Sequence, residues 1–378
     1  MSAIARLDAR AFRAPAAAPV ATSFGVMRDR PAVFVRIEAA DGAFGWGEIF
    51  ANWPAAGAEH RARLVIEDIA DLVLGFRAED PAALRRHLEE KTFIRALQCG
   101  EQGPFAQAIA GLDAAMHDLF ARRAGLPLAR FLNPRAPLRV PLYASGIHIR
   151  DAARLIPARR ARGDVAFKVK IGFHAAADPK LLAETAAGLG PGERLMADAN
   201  QAWTLDEALA FAAAARDLPL AWLEEPLRAD MPAADWARVA AASRAPLAAG
   251  ENVAGEDAFA ALIGAGHVGV IQPDVAKWGG VSGCLSVARA ALAAGRLFCP
   301  HFLGGGVGLL TSAHLLAAAG GPGLLEADAN PNPLRDAFFT EGAAPGGTMA
   351  LAEAPGIGVA ALPEALLRFE TLRLSRRA

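Results

Sequence analysis

The sequence predicts an α/β protein: a modified TIM-type (β/α) barrel with an N-terminal α+β capping domain that the C-terminal tail completes. Three observations carry this. From Lys170 onward, a short apolar run ending in a polar residue recurs at steps of 23 to 28 residues, at Lys170, Asp198, Glu224, Glu251, Asp274, His301 and Glu326. Ala-rich helical stretches, such as 205–216 and 256–263, fill the intervals. Strand, polar end, helix and repeat is the pattern of a (β/α) barrel, whose active site is assembled at the C-terminal ends of the strands. Finally, 378 residues exceed one ordinary domain but suit a barrel plus a smaller one. The expected division is a cap over 1–125, a barrel over 126–340, and a segment over 341–378 that packs back on the cap.

Residues 1 to about 50 read as a β meander. Val33, Val35 and Ile37 alternate with Phe34, Arg36 and Glu38, Asp41-Gly42 is a turn signal, and Phe44 to Glu48 returns. Stretches 22–30 and 50–54 are read as loops, with Asn52 and Trp53 of the second closing over a ligand. Helices are expected over 59–74, 82–92 and 105–124. Asp80-Pro81 supplies a cap and a first-turn proline for the second, and Gly125 stops the third. Asp113, His117 and Asp118, on that third helix, are read as partners in a domain interface.

The first barrel strand is 140–146, where Tyr143 and Ser145 share a face; Tyr143 is a candidate substrate contact. Repeats run to Glu326. Beyond Asn330-Pro331-Asn332-Pro333 the pattern stops. A Gly/Pro-rich stretch from about 341 leads to a short helix over 363–369 and an extended 371–374.

Composition narrows the class. Lys+Arg 39 against Asp+Glu 40 leaves a formal net charge of −1 with no basic stripe, so nucleic acid is not an expected partner. The three cysteines, Cys99, Cys284 and Cys299, have neither metal spacing nor a disulfide framework. No apolar run reads as a signal peptide or a membrane span. The expectation is a soluble, cytoplasmic homo-oligomer acting on a small carboxylate.

The chemistry starts at Ala166-Phe167-Lys168-Val169-Lys170-Ile171, an alternating strand with its apolar set facing the covering helices. Lys168 and Lys170 share the other face. Paired ammonium groups repel, which predicts a depressed pKa and a lysine able to take a proton. Asp198, Glu224 and Glu251 end three successive strands. Three crowded carboxylates call for a cation, and all-oxygen ligation selects a hard one: Mg²⁺, with Mn²⁺ as the alternative. The three are expected to converge on one point. Asp274 and His301 end the next two strands, where a carboxylate on one imidazole nitrogen fixes the tautomer and raises the basicity of the other. Lys170 and His301 flank the metal carboxylates in barrel order, so the two bases are expected on opposite sides of a bound substrate. Glu326 completes the ring.

The order Lys-x-Lys, Asp-x-Asn, Glu-Glu-Pro, Gly-Glu-Asn, Pro-Asp-x-x-Lys-x-Gly-Gly, Pro-His and a late Glu resembles the enolase superfamily, and within it the mandelate racemase subgroup. Trp46-Gly47-Glu48, residues 111–119, and Pro355-Gly356-Ile357-Gly358 resemble its cap and returning tail. The resemblance implies metal ligands Asp198, Glu224 and Glu251, bases Lys170 and His301 with Asp274 as partner, and Glu326 as a hydrogen-bonding electrophile. It further implies that Lys168 neutralises the substrate carboxylate and lowers the Lys170 pKa, and that the reaction is α-proton abstraction with Mg²⁺ stabilising an enediolate. Asn200, in the Asp-x-Asn motif, joins Asn52, Trp53 and Tyr143 as a candidate substrate contact. Some relatives carry a lysine where this chain has Asp274; Lys277, three residues on, is read as outside the site. Dehydration of an acid sugar is the first choice, with racemisation or epimerisation of a 2-hydroxy acid next. A metal hydrolase would give Lys170 no role, and a non-catalytic sugar-acid binder would need no pair of bases.

Overall fold

The computed structural model describes residues 2–174, 177–339 and 347–378. The chain opens with β1 (Ile4–Thr22), β2 (Gly25–Ala39) and β3 (Phe44–Ile49), all antiparallel. Stretch 22–30, expected as a loop, is the tip of a long hairpin, and only Ser23 and Phe24 turn between the strands. Pairing reaches from Val20–Met27 to Thr22–Gly25 because a partner strand, not local propensity, supplies the hydrogen bonds. The C-terminal strand Glu370–Arg377 adds to the outer edge of β1, so the tail closes the cap sheet. The tail also reaches the cap through Ile357 N, which donates to Asp118 at 2.7 Å, and just past the cap Gly356 O accepts from Leu128 N at 2.7 Å.

Helix Gln102–Arg123 lies across this sheet. The approach is so close that a Cβ on Gly47 would stand 1.9 Å from the Gly111 carbonyl oxygen, which excludes any side chain there. The predicted helix 59–74 is α-helical over Gly57–Arg63, widens to a π-helix over Leu64–Ile69 and resumes over Ala70–Val73, keeping Leu64, Val65, Ile66 and Ile69 buried. The next helix outruns its expected end at 92 and continues through Ala83–Cys99 to Gly100, where a φ of +70° ends it. Asp113 accepts from Ser282 N and Oγ across to the barrel, and Asp118 accepts from Trp46 N, so both carboxylates tie elements together.

The barrel strands are β4 (Arg139–His148), β5 (Ala166–Lys170), β6 (Arg194–Asp198), β7 (Leu220–Glu224), β8 (Leu247–Ala249), β9 (Val268–Ile271), β10 (Leu297–Phe298) and β11 (Leu325–Asp328). They pair in parallel in the order β10-β9-β8-β7-β6-β5-β4-β11, and Thr348–Ala350 joins β4 antiparallel. Of the Gly/Pro-rich stretch from about 341, residues 341–346 fall outside the described residues. The expected helix 363–369 is a 3₁₀ turn, Glu364–Phe369.

Strand alternation sorts the side chains. Phe167, Val169, Leu195, Ala197, Leu223 and Ile271 face the helices. Tyr143, Ala166, Met196, Trp222, Ala248, Val270, Cys299 and Leu324 meet inside as one apolar layer. Two residues further along lie Ser145, Lys168, Asp198, Glu224, Gln272, His301 and Glu326, all buried. The barrel is therefore a packed core whose polar layer sits directly beneath the C-terminal rim. No described helix is long and apolar enough to cross a membrane.

Candidate active site

Parallel register aligns the charged groups. Lys170 pairs with Asp198 across β5–β6, and Asp198 with Glu224 across β6–β7. Glu251 falls off the strand alternation, two residues beyond β8. Gly250, with φ +148°, makes the shift: a Cβ there would stand 2.7 Å from the Gln272 backbone. Asp274 and His301 form an isolated parallel bridge beyond β9 and β10.

The carboxylates turn to the bases. Lys168 Nζ lies 2.5 Å from Glu224 Oε1, 2.8 Å from Glu326 Oε1 and 3.6 Å from Asp198 Oδ2. Lys170 Nζ donates to Asp198 Oδ2 at 2.5 Å. His301 Nδ1 meets Asp274 Oδ2 at 2.7 Å, and Nε2 meets Glu251 Oε2 at 2.5 Å. Glu326 also accepts from Ser145 Oγ at 2.5 Å and from Phe302 N at 3.0 Å.

These pairings set the proton affinities, and they correct the expectation of a depressed lysine. Burial pulls Lys168 down, but Glu224 and Glu326 outweigh it and hold it well above the usual lysine range. Burial likewise opposes Lys170, but Asp198, helped by Glu251 and Glu224, outweighs burial and the Lys168 ammonium, so Lys170 is raised. Against its burial, His301 is held well above the usual histidine range by Glu251 and Glu326. Burial raises Glu224 to about 7, with Asp198 adding repulsion. Glu326 is held at about 2, because Lys168 and His301 outweigh its burial.

A cavity of about 620 Å³ opens above this layer. Lys170, Glu251, His301 and Asn200 line it from the barrel, and Phe24, Met27, Phe50, Asn52 and Trp53 from the cap. Asn52 Nδ2 donates to Leu303 O at 3.0 Å, and Ser23 Oγ to Asn200 O at 2.6 Å, so both cap segments are tied to the barrel rim. Phe24 and Trp53 pack edge to face at 6.0 Å over the opening.

Two expectations about individual residues fail here. Tyr143 does not reach the cavity. It lies fully buried one layer below, edge-on to Trp222 at 5.3 Å, with Lys168 Nζ 5.4 Å from its ring centroid. Lys277, expected outside, lines the cavity because the turn after Asp274 folds back toward the rim. Its Nζ meets Asn252 Oδ1 at 3.0 Å and stands 4.8 Å from the Phe50 ring centroid.

A third expectation is corrected in part. Among the described residues no three carboxylate, imidazole or thiol side chains stand gathered as a ready-made metal cage. Asp198, Glu224 and Glu251 are instead drawn to Lys170, Lys168 and His301 respectively. The donor set still fits a divalent hard ion. Asp198 and Glu224 are buried, Glu251 lines the cavity, and the three sit at or just beyond neighbouring strand ends. The carboxylates Asp198, Glu224, Glu251, Asp274 and Glu326 also outnumber the bases Lys168, Lys170 and His301.

Sequence reasoning passed over Glu48 as a functional group. From β3 its carboxylate accepts from Gly305 N at 2.5 Å and Gly308 N at 2.7 Å, gripping the start of helix Gly306–Ala319 just after His301. Burial pushes Glu48 from 4.5 up to about 8, although the two N–H donors resist it. A carboxyl raised on folding gives its full stability below its unfolded pKa and loses it as pH climbs to the folded one. Relative to Glu48→Gln, the wild type should therefore lose unfolding free energy between about pH 4.5 and 8, by at most about 1.4 kcal/mol per pH unit. Denaturant unfolding across that window checks this, and a pH-independent difference would contradict it.

Comparison with known proteins agrees with this architecture. Residues 6–133 match the mandelate racemase / muconate lactonizing enzyme N-terminal domain, and residues 151–365 match the enolase C-terminal domain-like family. A solved mandelate racemase/muconate lactonizing enzyme from Bordetella bronchiseptica RB50 is 48% identical, with TM-score 0.90 over 96% of this chain and 99% of that one. D-galactarolactone cycloisomerase of Agrobacterium fabrum is 29% identical over 90% of this chain and 91% of its own. The structure of L-talarate/galactarate dehydratase from Salmonella typhimurium LT2, liganded with Mg and L-lyxarohydroxamate, is 27% identical, with TM-score 0.85 over 99% of this chain and 94% of that one. With both of its domains matched, the chain belongs to the enolase superfamily, in the mandelate racemase and muconate lactonizing enzyme group.

Proposed function

We propose that this protein removes the α-proton of a carboxylate substrate with the help of Mg²⁺, passing through the substrate's enediolate, and that its reaction is dehydration of an acid sugar. One observation carries the reading: Lys170, from β5, and His301, from beyond β10, line a single cavity together with Glu251, and each is paired with a carboxylate, Asp198 and Glu251 respectively. The relatives' names support the substrate class, since they describe a galactarolactone cycloisomerase and a talarate/galactarate dehydratase.

An α-proton beside a carboxylate is weakly acidic because its loss concentrates a second negative charge. Asp198, Glu224 and Glu251 would hold the magnesium ion, which would supply positive charge to that dianion. Lys168 adds an ammonium in the buried layer beneath the cavity. With Asp198 engaged as a ligand, Lys170 would be left beside Lys168, a neighbour that disfavours its proton. His301 is aligned through Nδ1 by Asp274, which leaves Nε2 to move the proton. The configuration of the substrate decides whether Lys170 Nζ or His301 Nε2 abstracts. His301 then protonates a departing β-hydroxyl. Return of a proton by the opposite base gives the second reading, a racemase or epimerase of a 2-hydroxy acid, which the same two-base cavity favours.

A library of acid sugars incubated with enzyme and Mg²⁺ tests this, with loss of water followed by mass. Dehydration of one or more members is expected, and inertness of every acid sugar and 2-hydroxy acid would remove the proposal. The cap should set the choice among them. Trp53→Ala is expected to change the kcat/KM ratio between two acid sugars by about tenfold while Mn²⁺ affinity holds. An unchanged ratio would place selection elsewhere.

A further inference from the structure

We propose that Gln272, assisted by Trp222, is a positioning residue that holds the Glu224 carboxylate in the orientation from which it serves a divalent cation. The inference rests on the metal role proposed for Glu224.

Glu224 is buried among groups that could turn it several ways. Oε1 meets Lys168 Nζ at 2.5 Å, while Oε2 accepts from Gln272 Nε2 at 2.7 Å and from Trp222 Nε1 at 3.1 Å. All three partners are almost wholly inaccessible: Lys168 is 0%, Gln272 1% and Trp222 2% exposed. An ionised carboxylate only accepts, so the amide nitrogen of Gln272 must face it.

What distinguishes these two donors is that they carry no charge. The layer already holds Lys168, Lys170 and His301 against its carboxylates. A further cation on Glu224 would compete with a divalent ion for the same negative charge. An apolar side chain would leave a buried carboxylate oxygen short of donors. Neutral N–H groups avoid both costs, and two of them on one oxygen fix the carboxylate plane. Outer partners of this kind orient a metal ligand and tune its affinity.

The fold dictates both placements. Trp222 precedes Glu224 by two residues on β7, so its ring sits one layer below and the indole N–H reaches the same side. Gln272 follows β9 on the inward alternation, two residues after Val270. Its N donates to Ala249 O at 3.0 Å, and Gly250 packs against its backbone. Gly250 therefore both offsets Glu251 from the strand alternation and leaves room for Gln272 beneath.

Gln272→Met keeps length and volume but removes the donor, and Trp222→Phe removes only the indole N–H. Mn²⁺ is titrated into metal-free protein without substrate, free ion being read by electron paramagnetic resonance, alongside the metal-free unfolding temperature. Gln272→Met is expected to raise the Mn²⁺ dissociation constant by about tenfold, and Trp222→Phe by a smaller factor, with metal-free unfolding temperatures close to wild type. Wild type that binds Mn²⁺ while both variants stay within about twofold of it would overturn the positioning role alone. A lowered metal-free unfolding temperature with unchanged Mn²⁺ affinity would do the same, by making the contact merely structural. If Gln272→Met does not fold, unchanged affinity in Trp222→Phe overturns the role. Wild type that binds no Mn²⁺ removes the proposed function together with this inference.

Discussion

His301→Asn is expected to lower turnover of a verified acid-sugar substrate by about 10²- to 10⁴-fold, the range that a positioned acid or base contributes. Asparagine keeps comparable bulk and a hydrogen bond toward Asp274, but it has no titrating Nε2. In the structure that nitrogen is 2.5 Å from Glu251 Oε2, and among the described residues lining the cavity His301 is the one histidine. Lys170→Ala should cost a similar factor, since Lys168 is fully buried beneath and does not line the cavity. Asp274→Asn should give a weaker loss of the His301 type, because it removes the charge that supports the imidazolium. Steady-state kinetics of the three variants checks the order. Turnover within a few-fold of wild type in both single-base variants would mean that the chemistry lies elsewhere.

Removing divalent metal is expected to stop turnover, by about 10³-fold or more, with recovery on adding Mg²⁺ or Mn²⁺. Two losses coincide. The developing dianion forfeits its main neutralising charge, and Asp198, Glu224 and Glu251 fall back on Lys170, Lys168 and His301, as the structure has them. Lys170 then stays protonated beside Asp198 and cannot act as a base. Turnover measured after dialysis against chelator, and again after adding metal, decides this. Full activity in metal-free protein would contradict the mechanism.

The barrel was legible because it repeats. Lys170, Asp198 and Glu224 end β5, β6 and β7, and a polar residue at such an end is visible against apolar runs. The hairpin of β1 and β2 was not, because residues 15–22 carry little strand signal of their own; Pro15 and Val20–Thr22 pair with β2, with a register shift between them. Proximity in three dimensions hid other features. Lys277 looked like part of a turn, and only the fold back toward Glu251 and Phe50 brings it to the cavity. Tyr143 and Ser145 share a face in sequence, yet one layer separates them: Ser145 reaches Glu326 while Tyr143 stays in the apolar layer. Gln272 lies two residues after Val270, so alternation places it on the inward face. A neutral side chain beside Asp274 carries no charge to mark it. The raised lysines could not be read at all, because which carboxylate turns to which ammonium depends on side-chain geometry that no spacing encodes.

The central claim is that Lys170 and His301 act from opposite sides of one substrate carbon. Deuterium uptake at the α-carbon in D₂O, followed by NMR for the Mg²⁺-loaded His301→Asn and Lys170→Ala proteins on both α-configurations of a verified acid sugar, tests it most directly. His301→Asn should still exchange the α-proton of the configuration that presents it to Lys170, without losing the β-hydroxyl, and Lys170→Ala should lose that exchange while serving the opposite configuration. Exchange that survives both substitutions on both configurations, or that disappears from both configurations in either one, would contradict the two-base site.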